Sequence, residues 1–184
     1  SIDYAFGDVQ RVEEALGTLH PVTLGARMAD VLTESRTGSP ETLKKLELLV
    51  EDYRQSNANA GAKPFSGDAM ARAFGGRDGI RRITDRLVAL NTSDPRIAAV
   101  FEGHDMVRLR RVLFEQFCYI LNAGCTYTGR DMESSHSGMG TTRGDINALV
   151  ENLQKAMREE GVDFRSQNRF LSKLAPMSGD VIER

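Results

Sequence analysis

The sequence lacks several features that would each indicate a particular class of protein. It has no tryptophan, and its 24 basic residues nearly balance its 26 acidic residues, so nothing in the charge favours nucleic acid as a partner. No apolar run approaches the roughly 18 residues of a membrane-spanning helix. The opening residues, SIDYAFGDVQ, carry neither a basic start nor an apolar stretch. We therefore expect neither a membrane span nor a retained signal peptide.

Cysteine is also scarce, since the chain has only Cys118 and Cys125 and no CxxC motif. Neither a zinc knuckle nor a covalently attached haem is therefore indicated. On a continuous helix the two Cα atoms would lie roughly 10 Å apart, which is too far for a disulfide. If Gly124 ends the helix in a left-handed conformation, the chain folds back and the two thiols approach each other. This spacing is therefore compatible with either a disulfide or a pair of reduced, buried thiols.

Apolar residues recur at helical spacing along nearly the whole chain, and no alternating β pattern is present, so the sequence predicts an all-α fold. The polar, glycine- and proline-bearing stretch QSNANAGAKPFS interrupts this pattern. We expect a helical N-terminal extension over residues 1–55, a linker over 56–66 and a main domain over 67–184.

Several helix starts are marked by residues that favour capping. The expected caps are Ser39 followed by Pro40, then Ser66, Asp105, the pair Thr142 and Asp145, and Ser166. Asp94 and Pro95 predict a short helix over RIAAVF.

The segment YTGRDMESSHSGMG, residues 127–140, places one histidine, His136, between two methionines. A lone histidine is more often a structural or surface residue than a ligand. Here, however, the methionines offer soft apolar surface to a large flat ligand, and the glycines permit close approach of the backbone. Arg130 is placed to meet an anionic group at the edge of such a ligand.

These motifs together resemble the truncated haemoglobins of the first group. The resemblance runs from Phe74 to about Val181 and depends on the order and spacing of five motifs. They are FGG at 74–76, DPRIAAVFEGHDM at 94–106, YTGRDM at 127–132, HSGMG at 136–140 and APMSGDV at 175–181. The resemblance implies a truncated two-over-two globin fold, preceded here by an extra helical segment.

The resemblance also implies a cofactor and its ligand. It implies haem b, iron protoporphyrin IX, bound non-covalently, with His136 as the axial ligand of a five-coordinate iron. Phe101 matches an aromatic that packs on the porphyrin, and Tyr127 and Met132 match positions on the proximal side. Arg130 is the expected partner of a haem propionate, and Phe117 is a further expected cofactor contact.

On the distal side the chain departs from the family pattern, which usually supplies a tyrosine and a glutamine to the bound gas. Val88, Leu109 and Leu113 stand at the matching positions, so we expect an apolar distal pocket. Loss of a hydrogen bond of roughly 1 to 3 kcal/mol predicts O₂ binding that is one to two orders of magnitude weaker. Gln116 is most simply an amide on the helix surface, with an inward-turned donor as the alternative. Enzymatic activity stays open: haem with an open site often reacts with peroxide or NO, but efficient peroxide cleavage usually needs a distal acid–base group, which these side chains do not provide.

The resemblance names a small diatomic gas, O₂, CO or NO, as the ligand and leaves room for a redox partner. The N-terminal helices are a candidate surface for homo-oligomer formation. The alternative function is a sensory or protein-interaction module on a globin scaffold, whose N-terminal helices engage a partner. We expect a soluble protein, either cytoplasmic or exported to the periplasm. Cysteines placed like Cys118 and Cys125 are associated with exported members, which favours export and the disulfide.

Overall fold

A computed structural model of the chain describes residues 40–183, without the side chains of residues 40 and 52–56. Residues 1–39 of the predicted N-terminal extension, including the Ser39 cap, lie outside the described residues. Within them the helices are α1 (Pro40–Ala58), α2 (Ala69–Ala73), α3 (Gly76–Ser93), α4 (Met106–Ile120), α5 (Met132–His136), α6 (Arg143–Glu159), α7 (Phe164–Leu174) and α8 (Ser178–Val181). Two 3₁₀ turns, Ala98–Phe101 and Ala175–Met177, complete the list. Residues 40–183 contain no strand, and the all-α prediction is confirmed.

The core lies between two helical pairs, because α3 packs on both α4 and α6, and α6 in turn contacts α7. Its centre is aromatic. The ring of Phe170 makes edge contacts with Phe74 and Phe117, with centroid distances of 5.2 and 4.9 Å. Edge-on aromatic pairs of this kind add to the free energy that burial alone supplies. The core therefore joins two helices, α4 and α7, and the turn that precedes α3 around one ring.

Two of the predicted helix caps are confirmed. The Asp105 carboxylate accepts hydrogen bonds from the N–H groups of Val107 and Arg108 at the start of α4. Thr142 and Asp145 form a capping box at the start of α6. In each case a side-chain oxygen satisfies N–H groups that the first turn of a helix leaves without a backbone partner.

Two other predicted caps are wrong, and each lies within three residues of the true one. The cap of α2 is Asp68 rather than Ser66, and the cap of α7 is Asp163 rather than Ser166. Asp163 accepts a hydrogen bond from the Ser166 N–H at 3.0 Å, so Ser166 lies inside the first turn. Aspartate and serine cap helices about equally well, so propensity does not choose between them.

The short helix predicted over RIAAVF is a 3₁₀ turn that begins at Ala98. Asp94 accepts hydrogen bonds from Arg96 just before that turn and also links the end of α3 to α6. Its carboxylate accepts from the Arg96 side chain and from Asn152 of α6, which in turn donates to the buried Asn91. The Arg96 hydrogen bonds are the main cause of an Asp94 pKa well below its usual range.

The end of α4 shows how the chain reverses after the helix. The helix ends at Ile120, and Asn122 adopts a left-handed conformation with φ 59°. The Ala123 N–H donates to the Cys118 carbonyl, as expected for a C-terminal cap of this type. The prediction that Gly124 is the cap is therefore wrong by two residues, although Gly124 also has positive φ. Asparagine tolerates the left-handed region better than other non-glycine residues.

This reversal brings the cysteines together. Cys118 and Cys125 form a disulfide with a Cα–Cα distance of 5.5 Å, and both are buried in the core. Of the two alternatives that the spacing left open, the structure contains the bonded form. The disulfide links the end of α4 to the loop that leads to the histidine segment.

Replacing both cysteines, C118A/C125A, is expected to lower the free energy of unfolding by about 2 to 3 kcal/mol. The reason is that the short closed loop restricts the unfolded chain. For a chain of this length, the melting temperature should fall by roughly 5 to 10 °C. Urea unfolding followed by circular dichroism measures the change. A variant as stable as the wild type would contradict a stabilising role for the bond.

The predicted linker is closely attached to the main domain. Helix α1 continues to Ala58, and Ala60 is fully buried. The Phe65 N–H donates to the Ile120 carbonyl at 2.9 Å, and Asn122 Nδ2 donates to the Gly67 carbonyl at 2.9 Å. The domain boundaries stay a prediction, but the residues between α1 and α2 contribute contacts to the main domain.

Among residues 40–183, no helix combines the length and the apolar character that crossing a bilayer requires.

Candidate functional site

The candidate site centres on α5, a helix of only five residues. Its N-cap is Asp131, whose carboxylate accepts from the Ser134 N–H and from the Ser134 hydroxyl, both at 2.8 Å. These two hydrogen bonds are the main reason that the Asp131 pKa is lowered. The cap fixes where α5 begins, and its last residue is His136.

The imidazole of His136 is half-buried and held in one orientation. Its Nδ1 lies 2.7 Å from the carbonyl oxygen of Met132, one turn earlier. Because a carbonyl only accepts, Nδ1 carries a proton and donates, so in the neutral ring the lone pair is on Nε2. Nε2 makes no hydrogen bond with the described residues. A neutral imidazole fixed through Nδ1 is the form in which histidine binds a metal through Nε2.

The potential metal ligands near His136 indicate which kind of metal centre this site could form. No group of three or more His, Cys, Asp or Glu side chains lies close enough together to hold a metal ion within the described part of the chain. A single imidazole suits an iron whose other ligands come from a macrocycle. The residues present therefore fit haem better than a metal ion held by protein ligands alone.

Tyr127 stabilises the turn that leads into α5. Its side chain is buried, and its hydroxyl donates to the Arg130 carbonyl at 2.7 Å. Burial raises the pKa of Tyr127 to about 12, and the nearby carboxylates of Glu115 and Asp131 add to this effect. The phenol therefore stays protonated and able to donate across the physiological pH range. It holds the turn that precedes the Asp131 cap.

Gly129 is required by the position of the Tyr127 ring. A Cβ atom at this glycine would overlap the hydroxyl and ring carbons of Tyr127. We expect Gly129→Ala to lower the free energy of unfolding by about 1 to 3 kcal/mol, measured by urea unfolding. The double variant with Tyr127→Phe should recover little, because the ring carbons still overlap the new methyl group. Gly179→Ala, where a Cβ meets nothing within 4 Å, is the matched control. Equal stability of the two alanine variants would contradict the argument.

The remaining proximal candidates, Arg130 and Met132, flank this turn. The side chain of Arg130 is exposed and makes no salt bridge or hydrogen bond with the described residues. Met132 is half-buried and packs against the core. An exposed guanidinium and a half-buried thioether are side chains suited to the edge and the face of a flat, anionic ligand.

The distal candidates lie on elements that pack on one another. Val88 is buried in α3, Leu109 and Leu113 are half-buried in α4, and Phe101 is half-buried in the first 3₁₀ turn. Helix α3 contacts both α4 and that turn. Phe117 is only 4% exposed and packs on Phe170, so its side chain lies within the aromatic core. The part that each plays toward a cofactor stays a prediction.

Gln116 is not a surface amide, and the simplest expectation for it is wrong. Its side chain is buried, and its Nε2 donates to the Ala60 carbonyl at 2.9 Å. The same nitrogen lies 3.5 Å from Met132 Sδ and 3.7 Å from Met177 Sδ. The residues between α1 and α2 cover this face of α4, which turns an apparently exposed position into a buried one. Gln116 therefore joins those residues to the start of α5.

Two polar residues at the site were not identified from the sequence. Asn57 is buried, and its Oδ1 accepts from the Tyr127 N–H at 3.1 Å. Glu183 binds the backbone just after His136 through the N–H groups of Gly138 and Gly140. Both act over more than 40 positions along the chain, and no local motif marks either one.

A short helix that ends in an imidazole fixed through Nδ1, beside a core of packed helices, suits a small haem-binding globin. The model of the bacterial-like globin family matches residues 70–183, more than half of the chain, and the chain therefore belongs to this family. Membership in a globin family carries haem binding with it and implies a diatomic gas ligand. The matched range excludes α1, which is additional to the family domain.

Relatives of known type agree with this assignment. The chain is 27% identical over 111 residues to the group 1 truncated hemoglobin GlbN of Nostoc commune, covering 60% of this chain and 94% of that protein. It is 24% identical over 108 residues to the group 1 truncated hemoglobin GlbN of Mycolicibacterium paratuberculosis, covering 59% of this chain and 79% of that protein. The resemblance to truncated haemoglobins seen in the motifs is confirmed.

The fold also matches a solved structure. The truncated hemoglobin from Tetrahymena pyriformis in its Fe(III) form superposes with a TM-score of 0.60 at 20% sequence identity. The match covers 62% of this chain and 98% of that chain. The truncated globin fold expected from the sequence is confirmed.

Proposed function

We propose that this globin holds haem b with His136 Nε2 as the axial ligand and presents an apolar distal pocket to O₂, CO or NO. The bound haem supplies the iron that coordinates the gas. Around it, Phe101, Tyr127, Met132 and Phe117 provide apolar and aromatic contacts. Arg130 pairs with a propionate, because it combines exposure with a guanidinium that has no salt bridge among the described residues.

One observation carries the proposal, namely the state of the His136 ring. A hydrogen bond from Nδ1 to the Met132 carbonyl fixes the tautomer and leaves the Nε2 lone pair for iron. The ring is half-buried, so it is shielded from bulk water without being enclosed in the core.

The distal pocket determines which gas binds well. Val88, Leu109 and Leu113 carry no hydrogen-bond donor, and bound O₂ is more polar than bound CO. O₂ therefore loses roughly 1 to 3 kcal/mol of stabilisation that a donor would supply, while CO loses far less. This proposal therefore favours CO binding over stable oxygen carriage.

Absorption spectra of the protein reconstituted with hemin test the proposal. We expect a Soret band, a five-coordinate ferrous form and its conversion to a six-coordinate CO complex. Failure to take up hemin would contradict the proposed function. A ferrous form that is already six-coordinate would contradict the open distal position.

The partners, oligomeric state and location of the protein are also proposals. A redox partner and a homo-oligomer formed through residues 1–55 both remain proposals, and size-exclusion chromatography with light scattering tests the second. The Cys118–Cys125 disulfide supports the exported location over the cytoplasmic one. The alternative of a sensory or interaction module is not favoured by the family match.

A further inference from the structure

The backbone that follows His136 is bound by a carboxylate from far along the chain. One oxygen of Glu183 accepts from the Gly138 N–H at 2.6 Å, and the other accepts from the Gly140 N–H at 2.5 Å. Two backbone N–H groups that converge on an anion form a strong, charge-assisted contact. Both glycines have positive φ, at 78° and 64°, which is the conformation that directs these N–H groups toward the carboxylate.

Further hydrogen bonds extend this contact. The Glu183 N–H donates to the Thr141 carbonyl at 2.9 Å, and the buried Thr141 hydroxyl donates to the Val181 carbonyl. Helix α8 lies against α5, so residues 178–183 run alongside the helix that carries His136. We name the set formed by Glu183, Gly138, Gly140, Thr141 and Val181 the Glu183 clasp.

The clasp matters because α5 is short and His136 is its last residue. A five-residue helix has little intrinsic stability, and the ends of helices open most easily. Asp131 anchors the start of α5, whereas His136 lies at its end. After His136 the chain turns through Ser137 and the two glycines, where few side chains add rigidity. On that side the clasp adds to the hydrogen bond from the Met139 N–H to the His136 carbonyl.

We infer that Glu183 is a positioning residue for the proposed axial ligand. It fixes the Gly138–Thr141 backbone and thereby the position and orientation of the His136 imidazole relative to the haem. This inference rests on the proposed function, since it concerns the iron–imidazole bond. Glu183 contacts the backbone that follows His136, and the inference assigns it no contact with the iron.

The test compares E183A and E183Q with the wild type in full-length protein reconstituted with hemin. Asp180→Asn is the matched control, because it removes an exposed carboxylate from α8, three residues before Glu183, and Asp180 makes no hydrogen bond or salt bridge with the described residues. Resonance Raman spectroscopy of the ferrous form measures the iron–histidine stretching band. Amide hydrogen exchange at residues 138 and 140 measures whether the clasp is open.

In E183A we expect exchange at Gly138 and Gly140 to accelerate by about tenfold or more. The iron–histidine band should shift to lower frequency and broaden. E183Q, which keeps the reach and one acceptor oxygen, should fall between E183A and the wild type. Asp180→Asn should match the wild type in both measurements.

Faster exchange with an unchanged band would overturn the inference, since the clasp would then be structural without positioning the ligand. An equal shift in Asp180→Asn would also overturn it. If E183A does not fold, E183Q decides the question on the same two measurements. A wild type that takes up hemin but has no iron–histidine band contradicts the proposed function itself, whereas a normal wild-type band that no Glu183 variant changes contradicts only the role of Glu183.

Discussion

Replacing His136 with alanine is expected to remove the iron–imidazole bond and to lower the affinity for haem by roughly 100-fold or more. The apolar contacts remain in this variant, so residual haem binding would be weak and would lack the spectrum of a histidine ligand. Competition for haem with a high-affinity acceptor measures the affinity, and the ferrous and CO spectra report the ligand. Adding free imidazole should restore part of the wild-type spectrum, because it occupies the space that the side chain leaves.

His104 provides the matched control for this variant. It lies in an exposed bend before α4 and makes no hydrogen bond from its ring with the described residues. His104→Ala should therefore leave haem affinity and spectra unchanged. If His136→Ala keeps the wild-type spectrum while folding normally by circular dichroism, another residue is the ligand.

Placing a hydrogen-bond donor in the proposed distal pocket, as in Leu113→Gln, is expected to slow O₂ release by roughly 10- to 100-fold. Leu113 is suited to this change because it is half-buried on α4, so a polar side chain of similar size does not have to enter the closed core. The CO release rate should change far less, since bound CO accepts hydrogen bonds weakly. Stopped-flow displacement of each gas measures both rates.

Leu113→Met is the control for the change in side-chain shape, because it conserves volume and adds no donor. Its O₂ release should stay close to that of the wild type. Equal slowing of O₂ and CO release in Leu113→Gln would indicate that access to the pocket has changed rather than its polarity. No change in either rate would show that position 113 does not face the gas.

The sequence is most informative where structure is determined locally. The helical periodicity, the Asp105 cap and the Thr142–Asp145 capping box each depend on residues within one turn, and each prediction is confirmed. His136 could be selected because its motif lies in a fixed order with the others. Where two capping residues of equal propensity are close neighbours, as with Asp163 and Ser166, only the packed position of the helix decides.

Residues whose role depends on distant parts of the chain could not be assigned from the sequence. Gln116 is buried because residues 56 positions away cover it, and Glu183 reaches a backbone 45 positions away. Neither contact has a local pattern, because each depends on how the helices pack. The domain boundary has the same difficulty, since a polar, glycine-bearing stretch resembles a linker even when its backbone is hydrogen-bonded to its neighbours.

The attachment of residues 57–67 decides where this protein can be shortened. A version cut at residue 67 would keep the whole range that the family shares, yet it would strip two acceptors from the globin body. The Gln116 amide would lose the Ala60 carbonyl, and the Tyr127 N–H would lose Asn57 Oδ1. Gly61 lies so close to Met177 that its removal would also open a gap at that thioether. We therefore expect the smallest version that keeps these contacts to include Asn57 and to begin upstream of residue 70, where the match to the family model starts.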